Sequence, residues 1–84
     1  MSNLSIVLFD SSSDYKTYNV VDSNNTIIAY YYEYYVNPET NEKLDNTVYE
    51  IYYDYDDETE DYLTSTLTDD YDDILEVIDS LETV

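Results

Sequence analysis

An α+β fold is what this chain of 84 residues predicts: an antiparallel meander of about four strands with a C-terminal amphipathic helix packed on one face. Three observations predict it. Runs of β-branched and aromatic residues recur through the first two thirds of the chain, separated by short polar stretches. The intervals between them are too short for crossover helices, so neighbouring strands pair as hairpins. The last stretch then changes period, placing apolar residues at helical intervals.

The elements follow in order. "SIVLF" (Ser5 to Phe9) reads as the first strand and is closed by the turn-forming "DSSSD". "YKTYNVV" (Tyr15 to Val21) is the second, followed by a turn in "DSNN". "TIIAYYYEYYV" (Thr26 to Val36) is the third and longest, and "NPETNEKLDN" is the polar loop after it. "TVYEIYYDY" (Thr47 to Tyr55) is the fourth. With no glycine in the chain, the turns must be built from Asn, Asp and Ser. Strands thus lie within 4–55, an acidic connector covers 56–67, and a helix covers 68–82. Within the connector, 62–67 reads either as a fifth strand or as an irregular lead-in. In the helix, Tyr71, Ile74, Leu75, Ile78 and Leu81 form the apolar stripe, Thr68 is the expected N-cap, and the aspartates of the first turn suit the helix dipole. The whole chain, 1–84, reads as one small domain.

Alternation along the strands sorts side chains into faces. In the third strand Ile28, Tyr30, Tyr32, Tyr34 and Val36 share a wholly apolar or aromatic face, expected to meet the helix. In the fourth, Tyr49, Ile51, Tyr53 and Tyr55 are expected to do the same. The outer surface of this hairpin is then expected to show Tyr31, Glu33, Tyr35, Glu50, Tyr52 and Asp54, with Tyr31, Tyr35 and Tyr52 as aromatic contacts for a partner.

Charge narrows the function. Twenty-one acidic residues face two lysines, with no arginine and no histidine, a formal charge of −19. Such a surface repels nucleic acid, which needs cations to displace its counterions. Catalysis is not expected either: His, Cys and Arg are absent, and no glycine is present to form a phosphate loop. "DYDDETED" (Asp54 to Asp61) spaces carboxylates as a calcium loop does but lacks the glycine of its sharp turn, so no metal site and no cofactor are expected. No stretch is long and apolar enough to span a membrane or act as a leader, and a cytoplasmic protein is expected.

The remaining role is to bind a basic protein. Asp69, Asp72, Asp73, Glu76 and Asp79 fall on the arc of the helix away from its apolar stripe, and Asp54, Asp56, Asp57, Glu58, Glu60 and Asp61 extend the row. Along the helix the carboxylates recur about every 3 Å, close to the phosphate spacing of one DNA strand, about 3.4 Å.

In size, composition and the acidic "DDETED" and "TDDYDDILEVIDSLE" stretches, the chain resembles phage-encoded DNA mimics: uracil-DNA glycosylase inhibitors, anti-restriction proteins and anti-CRISPR proteins. The resemblance implies an inhibitor in the host cytoplasm that fills the nucleic-acid channel of a basic host nuclease or CRISPR effector. The glycosylase inhibitors place helices before their sheet, whereas here strands come first. The other reading is an acidic interaction module without mimicry, such as an antitoxin-like cap or a partner subunit. An outward tyrosine face or an uncovered edge strand would also serve a homodimer.

Overall fold

The computed structural model describes residues 4–81. Five antiparallel strands run in sequence order across one sheet: β1 (Ser5–Ser11), β2 (Tyr15–Val21), β3 (Ile27–Val36), β4 (Lys43–Asp56) and β5 (Asp61–Thr68). One helix, α1 (Tyr71–Leu81), packs on one face, giving a slab of 38 × 30 × 19 Å. The α+β class and the meander are as the sequence predicts. The strand count is one higher, because the open choice over 62–67 falls to a strand: β5 takes most of the expected connector and the first expected helical residue, Thr68, and is joined to β4 by a four-residue turn.

β5 is hard to read as a strand for a physical reason. Its leucines, Leu63 and Leu67, are spaced as on a helix, yet both are largely exposed. The half-buried positions are Tyr62, Thr64, Thr66 and Thr68. These are good strand residues whose hydroxyls hide the apolar alternation.

The turns are closed by side chains, as a glycine-free chain requires. Asp22 Oδ1 accepts from the backbone N–H groups of Asn24 and Thr26 at 2.9 and 3.0 Å. Asn37 Oδ1 accepts from the N–H of Glu39 at 2.8 Å, and Asp56 Oδ1 from that of Glu58 at 3.0 Å. Left-handed backbone falls to Asn25, Asn41, Asp54 and Glu60, with φ from 56° to 66°. Asn and Asp tolerate that region; Glu does so at a cost.

The core is small: Val20, Ala29, Tyr31, Ile51, Ile74 and Ile78. It overturns the expected orientation of β3. The face carrying Ala29 and Tyr31 meets α1, and the face carrying Tyr30, Tyr32 and Tyr34 points away from it. Burying Tyr30, Tyr32 and Tyr34 under a helix would have placed three hydroxyls in an apolar layer, each needing a partner. The observed orientation buries one, Tyr31, whose hydroxyl hydrogen-bonds that of Tyr71 at 3.1 Å. Ala29 leaves room for the helix to approach, and a bulge where β2 and β3 shift register at Val20/Val21 lets Ile28 pack against the same core. In β4, Tyr49, Ile51 and Tyr53 lie on the helix side as expected; Tyr55 is half exposed.

The helix begins later than predicted. Asp70, not Thr68, is the N-cap: its Oδ1 accepts from the Asp72 N–H at 3.0 Å and its carbonyl from the Asp73 N–H at 3.1 Å. Thr68 ends β5 and braces the cap instead, accepting from the Asp70 N–H at 3.1 Å and donating to Asp73 Oδ2 at 2.6 Å. The buried stripe is Ile74 and Ile78 with Tyr71, Val77 and Leu81 beside them, while Leu75 faces solvent. The predicted last helical residue, 82, lies outside the described residues.

Candidate protein-binding surfaces

Two surfaces stand out, on opposite faces of the sheet. The first is acidic. α1 leaves the end of β5 and runs back over the sheet, so that Leu81 lines the same groove as Asp54 and Tyr55 at the root of the β4–β5 hairpin. The outer side of the helix therefore leads from Asp69, through Asp72, Asp73, Glu76 and Asp79, back towards the hairpin. There Asp54, Asp56, Asp57, Glu58, Glu60 and Asp61 cluster around the turn. Ten of these eleven residues are exposed and Asp56 is half-buried, so the row expected from the sequence is presented to solvent.

Compensation within the chain is minimal. Two lysines can neutralise at most two of the 21 acids, leaving 19 without a lysine partner. Lys16 Nζ sits 6.0 Å from the ring centroid of Tyr35, on the helix side of β2, and Lys43 begins β4; neither lies in the row. The last turn of α1 carries no basic residue. Among the described residues no group of three or more acids is arranged to hold a metal ion.

The second surface is the uncovered sheet face. Register brings Tyr34 opposite Tyr15, Tyr32 opposite Thr17, and Tyr30 opposite both Asn19 and Tyr52. The rings form a connected set. Tyr30 stacks on Tyr52 (centroids 4.9 Å, 22°) and Tyr32 on Tyr34 (5.4 Å, 10°), while Tyr15 leans on Tyr32 at 5.9 Å. Glu50 lies between strand neighbours, and its Oε1 accepts from the hydroxyls of Tyr52 at 2.7 Å and Tyr34 at 3.3 Å. Burial first, and then the Glu50 carboxylate, push the Tyr34 hydroxyl up to about 12; the same causes raise Tyr52 above the ordinary tyrosine range. A groove of about 430 Å³ lies over Tyr34, Val48, Glu50 and Leu67, and two others on this face run over the ring set. One, of about 420 Å³, is lined by Asp14, Tyr34, Pro38 and Tyr52, the other, of about 290 Å³, by Phe9, Asp10, Thr17 and Asn19; Tyr15, Tyr30 and Tyr32 line both.

The aromatic residues expected to face a partner do not come together. Tyr31 is core, 1% exposed, which corrects its expected outward placement. Tyr35 lies on the helix side of β3, its hydroxyl donating to Glu33, which pushes that hydroxyl up to about 12. Tyr52 alone lies on the uncovered face, where its companions are Tyr15, Tyr30, Tyr32 and Tyr34. The sequence signal for these was Ala29, the one small residue of β3, which marks the side a helix can approach.

β1 forms one edge of the sheet and lies beyond the helix. Its Ile6, Val7, Leu8 and Phe9 are exposed, Phe9 at 72%. No helix among the described residues is long and apolar enough to cross a membrane. Comparison with protein-family models, with curated proteins and with solved structures finds no match to this chain.

Proposed function

We propose that this chain is an inhibitor that acts as a DNA mimic, occupying the basic nucleic-acid channel of a host defence enzyme, most specifically a CRISPR effector. The observation that carries the reading is the exposed, uncompensated row of carboxylates running along α1 and around the β4–β5 turn. The described helix is about 16 Å long and its outer side carries Asp72, Asp73, Glu76 and Asp79, a spacing near that of phosphates along one DNA strand. Lysines and arginines that hold phosphate would pair with these carboxylates, and the field of the whole molecule would steer the encounter. Host cytoplasm is the compartment where such a target is met.

The uncovered tyrosine face favours a second reading, an acidic interaction module such as an antitoxin-like cap or partner subunit. Half-buried tyrosines on an open sheet are the kind of area found at protein interfaces. Capture from a bacterial lysate containing defence complexes separates the two. The mimic predicts a nucleic-acid-binding enzyme that elutes only at high salt and is displaced by DNA or guide RNA. A partner indifferent to nucleic acid overturns mimicry in favour of the module.

A further inference from the structure

The tyrosine face carries a feature independent of the acidic row, since α1 lies on the other side of the sheet. Both grooves over the ring set contain π faces and hydrogen-bond acceptors, and neither lysine of the chain lines either one. Asp14 stands in one groove and Asp10 in the other. On the floor of the second, Thr17 is only 8% exposed, and its Oγ1 has no hydrogen-bond partner among the described residues. That hydroxyl lies beneath the surface of the groove, so the groups a ligand meets there are the tyrosine rings and the carboxylate of Asp10.

We propose that this face is a receptor for an arginine side chain of a partner protein. The guanidinium lies against the rings of Tyr15, Tyr30 and Tyr32, and its N–H groups are directed at the carboxylates that flank them, Asp14 in one groove and Asp10 in the other. The choice of occupant follows from the chemistry of the walls. A flat cation with five N–H donors and no acceptor matches ring faces flanked by carboxylates. A proline-rich peptide offers only carbonyl acceptors, which the flanking carboxylates of Asp10 and Asp14 repel, and the hydroxyls of Tyr34 and Tyr52 already donate to Glu50. A nucleotide brings phosphate into the field of a chain of charge −19. Lysine is compact and strongly hydrated, with no plane to stack.

The test uses three capped tripeptides, Gly-Arg-Gly, Gly-Lys-Gly and Gly-citrulline-Gly, titrated into the full chain at about 150 mM salt while tyrosine ring resonances are followed by NMR. Citrulline keeps the shape and removes the charge. The arginine peptide is expected to move the rings of Tyr15, Tyr30 and Tyr32 and to bind about tenfold more tightly than the citrulline peptide and several-fold more tightly than the lysine one. Tyr32→Leu is expected to remove about a factor of ten. Asp14→Asn, an exposed change in a turn that leaves the core intact, keeps the test decisive if Tyr32→Leu does not fold, and is expected to remove about a factor of three. Equal binding of arginine and citrulline peptides would overturn the proposal. So would equal binding of arginine and lysine peptides with shifts confined to the β4–β5 turn and α1, or unchanged affinity in a folded Asp14→Asn variant.

Discussion

The thirteen tyrosines divide between core and open face, and position within the sheet decides which. Tyr31 is the largest fully buried side chain, stacked on Tyr18 at 4.8 Å and hydrogen-bonded to Tyr71. Tyr52, one place along the register from the Tyr31–Ile51 pair, faces open solvent and Glu50. Truncation separates the two. Tyr31→Ala is expected to lose about 3–5 kcal/mol, enough to unfold a domain this small, and Tyr52→Ala only about 1 kcal/mol, measured by urea denaturation. Comparable losses would mean that the face assignment is wrong. Glu60 is a second residue-scale case. It holds φ at 56° because the tight β4–β5 turn demands left-handed backbone and the chain has no glycine to supply it. Glu60→Gly is expected to stabilise by about 0.5–1 kcal/mol, visible as a higher urea midpoint. A loss of stability would show that the side chain contributes more than its backbone costs.

At the scale of elements, how far the sequence could be read depends on whether apolar periodicity and burial agree. In α1 they nearly do: Tyr71, Ile74, Ile78 and Leu81 were legible, and only Leu75 and Val77 exchange sides. In β4 the glutamate and aspartates mark the wet face, and its inward residues were legible too. In β3 both faces are aromatic, so alternation gave two faces without saying which the helix covers; hydroxyl burial and Ala29 decide it. In β5 the threonines conceal the inward face. The acidic half of the candidate surface was legible because carboxylates declare their own exposure, while of the tyrosine half Tyr52 was placed correctly and the two β3 residues, Tyr31 and Tyr35, were inverted with their strand. Asp70 was masked by the better-looking Thr68, since all three residues before the helix, Thr68, Asp69 and Asp70, have side chains able to cap it. Asp70→Ala is expected to destabilise by about 1 kcal/mol and to lower helical circular dichroism. Thr68→Ala giving the larger loss would return the cap to Thr68.

For the whole molecule, charge and tyrosine set the limits of stability. The hydroxyls of Tyr18, Tyr30, Tyr31, Tyr34, Tyr35, Tyr49, Tyr52 and Tyr62 are all held above the ordinary value of 10.0, by burial first in every case but Tyr35, where the Glu33 hydrogen bond leads. The folded state therefore keeps protons that the unfolded chain releases above pH 10.0. Their contribution is complete below that pH and is lost as pH rises towards about 12, where Tyr34 and Tyr35 ionise in the fold. Absorbance of tyrosinate and circular dichroism, followed together, are expected to change in one cooperative step in this window. Full tyrosine ionisation near 10 with the sheet intact would contradict the packing described.

The exposed carboxylates strain the molecule in the same currency, since a chain of charge −19 repels itself when compact. A row kept for binding should be costly to stability and necessary for affinity. The measurement that tests this most directly replaces Asp69, Asp72, Asp73 and Glu76 together by Asn and Gln, then follows both thermal stability and affinity for the basic partner captured from lysate. The account predicts a loss of affinity of at least about a hundredfold with a shallower dependence on salt, while Tm rises only as far as relief of self-repulsion exceeds the dipole interaction that Asp72 and Asp73 give up at the helix start. Unchanged affinity in a folded variant would contradict it, because the helix would then carry charge that binds nothing.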